Sequence, residues 1–268
     1  MIIFKREWKR NLKSLLIWSA AIALLVFLMM SLYQSFAEGF GDISIKELME
    51  AYPEGLKAAF GLNTLDMSDL MGFYGVEAYL MVTLFGAIFA MLLSSSIIAK
   101  EENEKTIEFL LAKPVKRTEI LTSKIGLTVF NIFLFNLINT LVTFTAFEIY
   151  KTTDYDKSTF FILMLAPMLL HLTFAAIGLL VSVFITKTKA IYPISIGIVL
   201  ITYFMSIIAN IAEKLEFLKH FSPFSYVDAA DIIVNGKIQL NYLLVMLFTI
   251  VIGIGLTFLF YNKKDITV

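Results

Sequence analysis

The sequence contains no cysteine, two histidines, two tryptophans and five prolines in 268 residues. Without a thiol, disulfides, thiol catalysis and cysteine metal sites are excluded. Charge is scarce too, at 16% of residues against about 25% in an ordinary soluble domain. No G-x-x-x-x-G-K-[ST] run is present, so nucleotide phosphates have no cradle, and H-E-x-x-H and G-x-S-x-G are also missing. His171 falls within an apolar run and His220 within a charged segment, a poor pair for a metal. Glu101-Glu102 has no histidine on a neighbouring apolar run that would complete a membrane-protease site. These absences argue against an enzyme.

What the sequence has in excess is apolar surface. Hydrophobic residues make up 59%, with 25 Phe, and the mean hydropathy is +0.81. A soluble fold of this size could not hide that much, so the surplus has to face lipid. Disorder, collagen and coiled coil are excluded by the same composition.

Charge is also unevenly placed. Residues 15–36, 78–99, 125–147, 158–186, 190–212 and 238–262 contain no Asp, Glu, Lys or Arg. Each run reaches the roughly 20 residues that a helix needs to cross hydrocarbon. Backbone groups in lipid must bond within their own segment, so the runs predict six transmembrane helices. The short alternating strands of a β-barrel do not appear. The expected fold is all-α and membrane-embedded, one transmembrane domain over 1–268.

Six spans place both termini on one side. That side carries fifteen Lys and Arg, the other seven, and the acids run the opposite way, seven against fifteen. The positive-inside rule makes the termini cytoplasmic. A cleaved signal peptide is not expected, because the first apolar run is too long for one.

Residues 1–14 place Phe4, Trp8, Leu12 and Leu15 on one helical face, with Lys5, Arg6, Lys9, Arg10 and Lys13 around the rest. This predicts an interfacial helix on anionic lipid, leading into the first span. Segments 37–77 and 213–237 lie outside the membrane on the other side. The first predicts short helices around 43–52, interrupted by Pro53. The second carries Ser222-Pro223 and an Asn235-Gly236 turn signal, as expected of a cap over the bundle.

Between the second and third runs lies KEENEKTIEFLLAKPVKRTEILTSK, residues 100–124. Ile107, Leu110 and Leu111 form a short apolar face, and Pro114 stops that helix. Thr118 is the expected cap of the next helix, with Glu119 in its first turn. An amphipathic helix between two breaks suits a protein partner or the lipid headgroups, and the physics alone leaves both open.

The stretch resembles the signature loop of ABC-2 type permeases, the membrane subunits of one class of ABC transporter. It matches at Thr106, Ile107, Glu108, Leu110, Leu111, Pro114, Val115, Arg117, Ile120 and Lys124, and departs at Lys105, where the family usually has Gly. The basic N-terminus, six spans and a Ser-Pro-Phe segment before the last span agree. The resemblance implies that this loop is a coupling helix docking on a cytoplasmic ATPase subunit, with Thr106, Ile107, Glu108 and Leu111 as contacts. Arg117 would then pair with an acid on that partner or with lipid phosphate. The resemblance also implies a second permease, identical or different, and ATP and magnesium held by the partner rather than by this chain. It implies export across a bacterial plasma membrane, with no nucleic acid as a partner. The alternative is an ion-coupled secondary transporter, against which the six acid-free runs count.

Polar residues inside the runs need partners. Asn136, Asn139, Thr140 and Thr143 form a stripe on the third span, with Asn131 on the adjoining arc. They either line a substrate path or bond helices together. His171 follows Pro167 by one turn, either as a gating group or as a packed residue bonded to an Asn or to freed backbone. Gly86, Ala90 and Ser94, and Gly178 with Ser182, predict close helix approach.

Overall fold

The computed structural model describes residues 2–37, 52–103, 116–185 and 188–264. Among them there is no strand, and six helical segments are long and apolar enough to cross a membrane. Helix α1 is Ile2–Ala37, and α2 is the short Glu54–Phe60. Next come α3 (Leu70–Phe73), a π turn (Tyr74–Ala78) and α4 (Tyr79–Asn103), which together form the second span. Helices α5 (Arg117–Tyr150), α6 (Lys157–Phe184) and α7 (Thr188–Ile211) follow. Two 3₁₀ segments and α8 (Ala229–Asn235) lead to α9 (Leu240–Lys263).

The predicted spans are all helices, but several boundaries move. The N-terminal helix runs into the first span without a break, because basic side chains on a helical face do not interrupt a helix. Phe4 and Trp8 lie against Phe130 of α5, with ring centroids 5.9 and 5.2 Å apart, and Leu15 is buried. The apolar face predicted to meet lipid thus packs on protein here.

The second span begins at Leu70 rather than 78, taking in Glu77. Asp69 makes this possible: its Oδ2 accepts from the backbone N–H of Met71 and Gly72 at 3.1 and 3.2 Å, capping the first turn. The cap of α5 is Lys116 rather than the expected Thr118. There the Lys116 N–H donates to Glu119 Oε2 at 3.3 Å, so Glu119 closes the turn from inside. Asp156 caps α6. Bonds from the Thr159 hydroxyl and from the Ser158 and Thr159 N–H groups hold its carboxyl below the ordinary range.

The rod containing α4 and helix α6 are the most deeply buried spans, and the small-residue ridge is where they meet. A Cβ on Gly178 would stand 2.1 Å from Ser94 Oγ, so only glycine permits this approach.

Away from the termini, the connecting segments form a roof. Tyr33 donates to the Ser68 carbonyl at 3.0 Å, Tyr79 to the Val227 carbonyl at 2.8 Å and Ser222 to the Thr202 carbonyl at 2.7 Å. Gly61 and Gly236 end α2 and α8 with φ of +71° and +62°, left-handed turns that favour glycine. The predicted 43–52 helix lies, except for Tyr52, outside the described residues.

Candidate functional site

The polar residues inside the bundle do not form one network. Asn136 faces α6. Its Nδ2 donates to the Ile132 carbonyl at 2.8 Å, which turns Oδ1 toward His171 Nδ1, 3.1 Å away. The other ring nitrogen, Nε2, lies 3.3 Å from the Thr83 carbonyl of α4. The imidazole therefore bridges α4, α5 and α6 at one level, fully buried, with Phe135 packed edge-on at 5.7 Å. Both ring nitrogens face oxygen acceptors, and a neutral imidazole carries one N–H.

Asn131 and Asn139 behave differently. Each turns its amide back to the carbonyl four residues before, Leu127 and Phe135, at 2.9 and 2.8 Å. Their buried Oδ1 atoms have no hydrogen-bond partner among the described residues. Thr143 is also buried, while Thr140 is half-exposed. Thr140 and Asn136 floor an open groove of about 170 Å³ between α5 and α6, rimmed by Phe133, Leu137, Phe161 and Leu165. The stripe thus splits into a side joined to His171, a lipid-facing groove, and inward-facing amides.

A second cluster lies at the end bearing both termini. Thr106, Ile107, Glu108, Leu110, Leu111 and Pro114 lie outside the described residues, but both roots of their loop are described. Arg117 Nη1 donates to the Lys264 carbonyl at 2.8 Å, at the C-cap of α9, and reaches the Asn262 carbonyl at 3.5 Å. The guanidinium predicted to meet a partner acid or lipid phosphate is thus engaged by the last helix. Lys124 is fully buried and donates to the Ile97 carbonyl of α4 at 2.6 Å. Glu7 of α1 is 4% exposed.

In the sequence, Lys124 stands out only as part of a motif. Its signal was its place, one residue before an uncharged run. Nothing in the sequence pointed to the Thr83 carbonyl.

A family model described as ABC-2 family transporter protein matches residues 1–266. The chain belongs to the ABC-2 transporter family. It is a multi-pass membrane protein and the membrane subunit of an ABC transporter. Family membership favours this over the ion-coupled alternative. No curated protein matches the chain. The cluster at the ends of α4, α5 and α9 is the root of the loop between α4 and α5.

Proposed function

We propose that this ABC-2 permease exports its substrate, driven by separate ATPase subunits that dock on the loop between α4 and α5. Thr106, Ile107, Glu108 and Leu111 are the contacts, and Leu110, Pro114 and Arg117 shape and anchor the loop. The termini and this loop are cytoplasmic, in keeping with the fifteen-to-seven excess of Lys and Arg on that side. A second permease, identical or different, completes the pathway. ATP and magnesium act on the partner.

The observation that carries this reading is the fastening of the loop's roots. Lys124 ties α5 to α4, and Arg117 ties α5 to the end of α9. A push on the loop is therefore delivered to three membrane helices together. Packed elements transmit such displacements because they shift between discrete arrangements. Inside the bundle, His171, Asn136 and Thr83 join the spans that would move.

The test is copurification of this chain with its ATPase and measurement of ATP hydrolysis with and without the chain. Leu111→Asp would place a charge in the docking contact and weaken ATPase binding, with normal membrane insertion. Unchanged copurification and transport in that variant would overturn the docking site.

A further inference from the structure

On the face opposite the termini, the roof segments border a half-open cavity in two adjoining parts. The inner part, about 90 Å³, has mainly apolar walls, among them Leu65, Leu80, Tyr203, Phe224 and Val227. The outer part, about 340 Å³, is polar, with Asn63, Thr64, Asp231, Gln239 and Tyr242 on its walls. Asn210, Ser225 and Asp228 line both parts and so mark the neck between them.

The neck is unbalanced in charge and in hydrogen bonding. Asp228 accepts from the Asp231 N–H at 3.0 Å, but burial still raises its pKa above the ordinary carboxylate value. Among the described residues no ion pair reaches it. Lys219, on the outer wall, is paired with Glu216 at 3.2 Å, and its charge offsets only part of the effect of burial on Asp228. Asp231 differs, because its two oxygens accept from the amides of Asn235 and Gln239 at 2.8 and 2.9 Å. Ser225 Oγ is buried without a hydrogen-bond partner among the described residues.

A carboxylate short of solvent is costly to keep charged, and a cation beside it offsets that cost. An anion would add repulsion there, and a purely apolar ligand would leave the carboxylate's charge uncompensated. The aromatic wall, where Tyr203 and Phe224 meet edge to face at 5.4 Å, suits a short hydrocarbon tail. A pocket with apolar walls and a few convergent polar groups is the usual form of a small-molecule site.

We propose that this cavity binds organic cations with a short apolar tail, the cationic group at Asp228 and the tail in the inner part beside Tyr203 and Phe224. The inner wall includes Thr83, whose carbonyl faces His171, so the bound tail touches a helix of the central cluster.

The test uses the full chain in discs of zwitterionic phosphatidylcholine, titrated calorimetrically with n-hexyltrimethylammonium, with empty discs subtracted. Saturable binding is expected, and n-hexanesulfonate, with the same tail and the opposite charge, does not bind. Asp228→Asn preserves the helix cap and removes the charge, and weakens the cation by about tenfold or more. Asp154→Asn, an exposed carboxylate that lines neither part of the cavity, changes affinity by less than about threefold. Absence of saturable binding above empty discs, equal binding of the sulfonate, or unchanged affinity in Asp228→Asn would each overturn the proposal. Should Asp228→Asn fail to fold, the comparison of cation and sulfonate on the unaltered chain still decides. The assay needs neither ATPase nor transport, so a failed export reading leaves its result intact.

Discussion

Gly86 of α4 leaves the space that the His171 ring of α6 fills. A Cβ at residue 86 would stand 2.2 Å from His171 Cε1, 2.3 Å from Nε2 and 3.0 Å from Phe135 Cε1. Gly86→Ala therefore displaces the imidazole from the Thr83 carbonyl and from Asn136. Overpacking of this kind costs about 1–3 kcal/mol. Unfolding of the purified chain should show a loss of that size. Gly126→Ala, where an added Cβ meets nothing within 4 Å, should not destabilise the chain. Equal behaviour of the two variants would mean that the glycine at 86 is not there for the ring.

Asn136 and Asn139 occupy one stripe but not one role. Asn136→Leu removes the partner of His171 Nδ1 and should lower stability by about 1 kcal/mol, the usual size of a membrane hydrogen bond. Asn139→Leu removes only a bond to its own helix and should change stability less. Unfolding and transport measured on the same two variants separate packing from pathway. Lost transport at unchanged stability in Asn139→Leu would mark that amide as part of the path.

The spans were legible because charge is so costly in hydrocarbon that its absence over 20 residues has few other meanings. Their ends were less so. Glu77 suggested a boundary, yet Asp69 caps the helix eight residues earlier, and one half-buried acid near a helix end is tolerated. The small-residue ridge could be read as close packing, but not that Gly86 faces a histidine, since its partner lies 85 residues away. Likewise the spacing of Asn136 and Asn139 gives them neighbouring faces, and only the packing of α6 gives one of them a partner. The bond from Arg117 to the carbonyl of Lys264 was not legible, because a backbone acceptor leaves no mark in the sequence.

Acid sensitivity is expected at the start of α6. The Asp156 carboxyl, held below its ordinary value by Thr159 and two N–H groups, binds its proton less readily folded than unfolded. Its contribution is complete above the unfolded value and is lost as pH falls through the lowered folded value. Asp156→Asn keeps an acceptor for the cap and removes that step. Unfolding of both chains from neutral pH down to about pH 3, below the ordinary Asp value, should show a steeper fall for the unaltered chain. Parallel curves would mean the cap carries no pH dependence.

Orientation is open to a direct measurement. Tags on both termini should resist protease added to intact cells, while a cysteine probe placed at Asp154 should be labelled from outside, the chain having no native cysteine to interfere. A terminus cleaved from outside would reverse the assignment of the loop between α4 and α5 to the ATPase side.

The anchoring of the loop leads to the last prediction. Arg117 joins the first turn of α5 to the end of α9 by one charge-assisted bond at 2.8 Å. Such a bond on a partly exposed group contributes little to global stability, on the order of 1 kcal/mol. Its position matters more, because it fastens the last residues of α9 to the root of the loop, beyond the packing of Tyr261 in one cluster with Leu121. Arg117→Ala should therefore leave ATPase copurification near normal while reducing chain-dependent ATP hydrolysis and transport. Amide exchange at the C-terminal end of α9 should rise in the same variant, a local readout that a lost partner contact would not produce. Arg117→Lys, able to donate to a single carbonyl, should recover part of both. If Arg117→Ala instead abolished copurification and left exchange in α9 unchanged, the guanidinium would belong to the docking surface and not to the anchor.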